Sequence, residues 1–211
     1  MVSLYLVFLM LLGAERMGEL LLSRRNVAWA LRRGGTELGR RHFRWMALLH
    51  AAFLPACALE VWALDRPFIP ALGLPMLGAV LAAQGLRYWA VLTLGRRWSV
   101  RVIALPGEPV VTGGPYRFIR HPNYLAVILE GIAVPLVHTA WLTALVFTVL
   151  NLSLLGLRIR CEEAALSEHS DYRRRLGAVP RFAPSWPRIA RRAGGPDRGH
   201  EVPESLPSRT K

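Results

Sequence analysis

The chain has 211 residues, 53% of them apolar and 19% charged, and its 27 Lys+Arg against 14 Asp+Glu give a formal net charge of +13. That balance is too apolar for an ordinary soluble domain, and the basic excess points to nucleic acid or to a membrane surface. Arginines set between long hydrophobic stretches, with no separate basic domain, disfavour nucleic acid, and two isolated cysteines, Cys57 and Cys161, disfavour a zinc site or a disulfide framework.

A membrane-crossing helix needs about 20 mostly apolar residues. Residues 2–22 supply the first candidate, interrupted by Glu15, Arg16 and Glu19. No cation precedes this stretch, no A-x-A site follows it, and Glu15 and Arg16 stand where cleavage would fall, so it reads as a retained helix. Ionisable groups within a span turn inward, and these three are expected to pair with one another or with Arg87, substrate contact being the alternative. The following segment carries Arg24, Arg25, Arg32, Arg33, Arg40, Arg41 and Arg44 against Glu37 alone, and reads as a basic connector suited to anionic lipid.

Residues 45–64 form a second candidate containing His50, Pro55 and Glu60; the His and Glu are expected to hydrogen-bond between helices. Residues 68–94 form a third, with Arg87 near its end. Residues 123–137 are shorter and carry Glu130, whereas 139–157 are free of charge; Pro135 and His138 between them predict a tight helical hairpin. Arginine clusters before the second span, between the third and fourth, and after the fifth all fall on one side. The positive-inside rule then predicts an outside amino terminus, five crossings and a cytoplasmic carboxyl tail. The expected fold is an all-α integral membrane protein with about five transmembrane helices, a carboxyl-terminal hairpin and a cytoplasmic tail helix. From Arg158 the tail has no helix breaker until Gly177, and beyond Trp186 it is rich in Pro, Gly and Arg and reads as disordered.

Two polar islands flank the hairpin. The first is "GGPYRFIRHPNY", residues 113–124. Its Gly pair and Pro115 suit a turn, and Pro122 suits the first position of a helix, which puts His121 at the entrance and Tyr124 in the first turn. The second is Arg158, Arg160, Glu162 and Glu163, with Arg158 and Glu162 spaced to pair on a helix. Interfacial anchoring and a solvated salt-bridged face are the plain readings. The other reading is a ligand site, since both islands meet one membrane boundary with donors and acceptors suited to a zwitterion bearing an ammonium, a carboxylate and sugar hydroxyls.

"GPYRFIRHPNY", a hairpin, "RIRCEEAAL", a tyrosine and "VPRFAP" together resemble the isoprenylcysteine carboxyl methyltransferase family of integral membrane enzymes, over roughly residues 95–187. The resemblance implies a site for S-adenosylmethionine in the carboxyl-terminal half and a lipid acceptor entering from the bilayer. It makes His121, Pro122 and Tyr124 cofactor contacts, puts Arg158, Glu162 and Glu163 at the cofactor or near the transferred methyl, and places Tyr172, Pro180 and Arg181 on the segment that closes the pocket. Arg158 would orient the acceptor oxyanion or hold Glu162, His121 or a glutamate would serve as base for a phenolic acceptor, and no metal is implied. The chain departs from the family pattern at "SEHSDY" and at Ala126, where glycine is common. The amino-terminal half, with "ERMGELLLSRRNVAWALRRGGTELGRRHF", is similar to a bacterial branch that accompanies type III polyketide synthases and O-methylates alkylpyrone or alkylresorcinol lipids. The implied organisation is residues 1–94 as amino-terminal helices and basic loop, 95–187 as methyltransferase core, and 188–211 as tail. Methylation of a prenylcysteine carboxylate or a phospholipid, an NADPH-dependent membrane reductase, and a non-enzymatic lipid-binding protein are the alternatives.

Overall fold

The computed structural model describes residues 1–169 and 171–183; the expected disordered stretch, 188–211, lies outside them. Five long helices carry the fold: α1 (Val2–Arg32), α2 (Arg40–Ala63), α3 (Pro70–Leu94), α4 (Pro122–Leu136) and α5 (Trp141–His169), followed by a short α6 (Tyr172–Leu176). Of these, α2, α3 together with the 3-10 turn that follows it, and α5 supply stretches long and apolar enough to cross a membrane, Phe43–Ala63, Pro70–Arg97 and Trp141–Glu168. The shorter α4 is also apolar, and α1 carries the charged interruption at Glu15, Arg16 and Glu19. The faces turned away from the bundle fit a lipid solvent: Leu4, Leu11, Trp62, Leu92 and Leu145 are all exposed.

Local chemistry sets the helix ends. Pro70 and Pro122 occupy first-turn positions, where the missing N–H costs nothing. At the opposite end of α5, Glu60 of α2 accepts the backbone N–H groups of Leu142 (3.1 Å) and Thr143 (2.6 Å) and pairs with Arg66 at 2.8 Å. A carboxylate from a neighbouring helix thus satisfies donors that α5 cannot bond internally. The α4–α5 turn puts Thr139 at φ 55, with its hydroxyl donating to Pro67 O at 2.6 Å. Gly131 admits the α4–α5 contact itself, since a Cβ there would sit 2.7 Å from the Phe147 ring.

The core gathers Tyr5 and Leu9 of α1, Cys57 and Val61 of α2, Val80 of α3 and Val134 of α4. Tyr5 also donates its hydroxyl to the Val134 carbonyl at 3.0 Å, pinning α1 to α4 at the end away from the polar islands.

Three expectations change. α1 runs through Arg32 rather than ending near residue 22, so Arg24, Arg25 and Arg32 are helical rather than part of a loop. The remainder of the connector is not merely flexible: β1 (Thr36–Leu38) pairs antiparallel with β2 (Val102–Ala104), in register Thr36 to Ala104 and Leu38 to Val102. Gly35 makes the approach possible, because a Cβ there would lie 2.8 Å from Ala30 O and 2.9 Å from the Ile103 side chain. The tail helix expected to run to Gly177 is continuous with the last span through His169, and α6 begins at Tyr172.

Candidate functional site

The first island folds as its turn residues direct. Gly114–Arg117 forms one 3-10 turn, and His121 stands immediately before Pro122, at the entrance of α4. The backbone on either side is held from the tail: Arg120 N–H donates to Pro180 O at 2.9 Å and His121 N–H to Arg181 O at 3.2 Å. The segment around Pro180 and Arg181 therefore lies directly over the His-Pro step.

The second island arrives on α5 and meets the first along two lines. In one, Arg158 Nε–H donates to the Tyr124 hydroxyl at 2.7 Å, and that hydroxyl donates to Glu162. The guanidinium also lies over the Tyr124 ring, 5.3 Å from its centroid, and Nη2 donates to Val100 O at 2.7 Å. This corrects the expected direct Arg158–Glu162 pair: Tyr124 stands between them, because a hydroxyl can accept from one and donate to the other. In the second line, Glu163 accepts from His121 Nε2 at 3.0 Å, from Arg120 Nη1 at 3.2 Å, and from Arg181 at 3.0 and 2.6 Å in a bidentate pair. A carboxylate partner places the proton of His121 on Nε2. The His121 and Tyr124 rings stack at 5.3 Å between centroids, which joins the two lines.

Around this cluster is a cavity of about 180 Å³ lined by His121, Tyr124, Arg158, Glu162 and Tyr172, with β2 forming one wall. Three residues of its lining carry buried polar atoms without a hydrogen-bond partner among the described residues: Trp98 Nε1, Arg120 Nε and Asn123 Oδ1. Two donors and one acceptor are thus left for water or a polar ligand to satisfy in a site that is otherwise well bonded. Burial, reinforced by the charge of Glu163, pushes the Tyr172 hydroxyl up to about 12, so it remains a neutral donor throughout the ordinary pH range. The hydrogen bond and charge of Glu163 raise Arg181 above its ordinary value.

Every residue assigned to the site by the sequence (His121, Pro122, Tyr124, Arg158, Glu162, Glu163, Tyr172 and Arg181) falls in this one cluster or its closing segment. The cavity wall formed by β2 and Trp98 was not anticipated, nor was the second arginine on Glu163, Arg120. Arg120 adjoins the His-Pro step and could have been found there; β2 gives no such signal.

The other flagged polar residues lie elsewhere. Arg16 bonds Glu19 at 2.6 Å, Gln84 at 2.6 Å and Glu130 at 3.3 Å, while Arg87 pairs with Glu130 and lies 3.6 Å from Glu19. Glu15 accepts from Gln84 and from Tyr88. The expected pairing within α1 and with Arg87 is present, enlarged by α3 and α4. Glu60 does bond between helices, but His50 donates from Nδ1 to Met46 O of its own helix at 2.8 Å, and its ring meets Phe147 edge-on at 5.3 Å. Among the described residues no group of His, Cys, Asp and Glu is arranged to hold a metal ion.

The family model for the isoprenylcysteine carboxyl methyltransferase family matches residues 76–168. The chain is also 33% identical over 168 residues to the uncharacterized protein YpbQ of Bacillus subtilis (strain 168), covering 79% of this chain and 99% of that protein. An uncharacterized protein of Haemophilus influenzae is 29% identical over 157 residues, covering 73% of this chain and 90% of its own length.

Proposed function

The chain belongs to the isoprenylcysteine carboxyl methyltransferase family, and from that premise we propose that it is an S-adenosylmethionine-dependent O-methyltransferase acting on a lipophilic acceptor, an alkylpyrone or alkylresorcinol polyketide. The observation that carries the proposal is the convergence of His121, Tyr124, Arg158, Glu162 and Glu163 around one cavity whose lining leaves Trp98 Nε1, Arg120 Nε and Asn123 Oδ1 unmatched. Donors of this kind suit a carboxylate and adenine nitrogens, and the acceptor atom suits an ammonium, so the residues fit the proposed cofactor. When bound, the cofactor supplies a sulfonium methyl; the acceptor oxygen forms the new O–C bond with its own electron pair as the S–C bond breaks, leaving a neutral thioether.

In this reading the protein's task is alignment and exclusion of water. His121, Tyr124, Glu162, Glu163, Tyr172 and Arg181 hold the cofactor, with Pro122 fixing the turn that presents them. Arg158, oriented by Tyr124 and Val100 O, faces the acceptor oxygen. A hydroxypyrone oxygen arrives already ionised, and a phenolic one passes its proton to His121 or a glutamate. The five helices cross the membrane with the site-bearing end in the cytoplasm, a reading supported by the arginines of the α1–α2 and α3–α4 segments. The type III polyketide synthase is the class of enzyme that supplies such acceptors.

The test is transfer of radiolabelled methyl from S-adenosylmethionine in membranes supplied with alkylpyrones, alkylresorcinols, a prenylcysteine or phosphatidylethanolamine. Label is expected in one of the first two, and loss of transfer in His121→Ala and Glu162→Ala proteins that still insert. Full activity in both variants ends the site assignment, label in the prenylcysteine or the phospholipid replaces the acceptor, and binding of NADPH in place of S-adenosylmethionine replaces the reaction.

A further inference from the structure

Arg158 has a second side. Its Nε and Nη2 have strong oxygen acceptors in Tyr124 and Val100, but Nη1 is 3.4 Å from the Met46 sulfur. A thioether is a weak acceptor, so the one guanidinium nitrogen turned toward α2 has a poor partner. Around that contact is a second, very small cleft of about 10 Å³, lined by Leu38, Phe43, Met46, Val102, Arg158 and Cys161. Arg158 is the one charged group among its described lining residues, and Arg158 and Val102 line the main cavity as well. The cleft lies where α2 enters its membrane-crossing stretch at Phe43, and the neighbouring Trp45 and Leu48 are exposed.

We infer that the methyl acceptor lies along this cleft, with its anionic oxygen on Arg158 Nη1 in place of the Met46 sulfur and its single alkyl chain running between Leu38 and Phe43 to the bilayer. The inference rests on the proposed methyl-transfer function and names the acceptor route within it. Charge decides the head group: a guanidinium nitrogen with only sulfur opposite it takes an anionic oxygen far better than a neutral or cationic group. The present cleft holds little more than a water, so Met46 acts as its plug; an unbranched side chain with three rotatable bonds can swing aside without moving α2. The β1–β2 ladder supplies the outer wall, which gives the connector between α1 and α2 a role in acceptor selection.

The test uses the full chain in nanodiscs with a palmitate analogue carrying a mid-chain diazirine as probe. Photolabelling is expected on the peptides holding Leu38 and Phe43, and bound probe is expected to slow alkylation of Cys161 by N-ethylmaleimide. Met46→Trp, which fills the cleft, is expected to reduce labelling tenfold or more, whereas Met46→Ala leaves or raises it, with S-adenosylmethionine affinity within twofold in both. Labelling on α1, α3 or α4 with that affinity intact overturns the route and leaves the proposed function standing. Labelling abolished by phosphatidylglycerol in the nanodisc marks a phospholipid headgroup site and also overturns it. A wild-type chain that binds no S-adenosylmethionine removes the proposed function and the route with it.

Discussion

Glu163→Gln tests whether a single carboxylate clasps the His-Pro step and the tail together onto α5. The substitution preserves shape and one acceptor but places an amide N–H₂ against a guanidinium N–H₂ of Arg181, and it removes the charge that His121, Arg120 and Arg181 share. The His121 and Arg120 side chains are 4% and 18% exposed, and a charge-assisted bond loses about 1 kcal/mol on becoming neutral, so these two contribute about 2 kcal/mol. Arg181, 49% exposed, is screened by water and adds less than about 1 kcal/mol. The His-Pro step, with the tail laid over it, should therefore part from α5 roughly 30- to 150-fold more often, taking about 1.4 kcal/mol per factor of ten. Hydrogen exchange reads this directly, because the amides of Arg120 and His121 donate to Pro180 and Arg181 carbonyls. Those two amides should exchange about 30-fold faster or more, while amides within α3 and α5 are unchanged. Arg181→Ala should accelerate them only a fewfold. Equal effects from the two variants, or none from Glu163→Gln, would refute the ranking of buried over exposed partners.

Glu130→Ala leaves Arg87, 7% exposed, with Glu19 at 3.6 Å as its remaining carboxylate partner; a buried charge left wholly unpaired costs about 3–5 kcal/mol, so a loss of about 3 kcal/mol or less is expected here. The unfolding midpoint in detergent should fall, and an unchanged midpoint rejects a structural role for the α1–α3–α4 network. Tyr172, pushed up to about 12 by burial, stays protonated in the folded chain while an unfolded tyrosine ionises near 10. Above that point the unfolded state binds fewer protons, so the stabilising contribution is complete below about pH 10 and is lost as pH rises toward 12. Tyr172→Phe should make that alkaline limb shallower in a pH series of unfolding midpoints, where Tyr116, also raised by burial, contributes as well; an unchanged slope rejects the share assigned to Tyr172.

The long helices were legible because a span of about 20 apolar residues leaves few alternatives, and Pro70 and Pro122 mark their own helix starts. Less visible was anything decided between distant segments. Three-residue strands have too little periodicity to announce themselves, and the pairing of Leu38 with Val102 depends on how α1 places the connector. The spacing of Arg158 and Glu162 predicts a direct pair, but a local rule cannot anticipate a tyrosine from α4 that bonds both. Glu15, Arg16 and Glu19 declared themselves as costly groups in a span, whereas Gln84 and Tyr88, uncharged, carried no warning that they would join them. His121, Tyr124 and Glu163 were found because their types and spacing carried a family resemblance. Met46 and Trp98 carried none, since a methionine and a tryptophan are unremarkable in an apolar chain.

The length of α5 ties chemistry to bilayer thickness. At about 1.5 Å per residue, Arg158 stands roughly 25 Å above Trp141 and Glu163 roughly 33 Å, against a hydrocarbon slab about 30 Å deep. With Trp141 at the far boundary, the guanidinium would sit just under the oily edge and the carboxylate just over it, and one rigid rod fixes both heights. A bilayer a few ångströms thicker would then submerge Glu163 and its cationic partners, while a thinner one would lift Arg158 and its bonds to Tyr124 and Val100 O into water. On the proposed function, methyl transfer should therefore peak at one acyl-chain length and decline on either side.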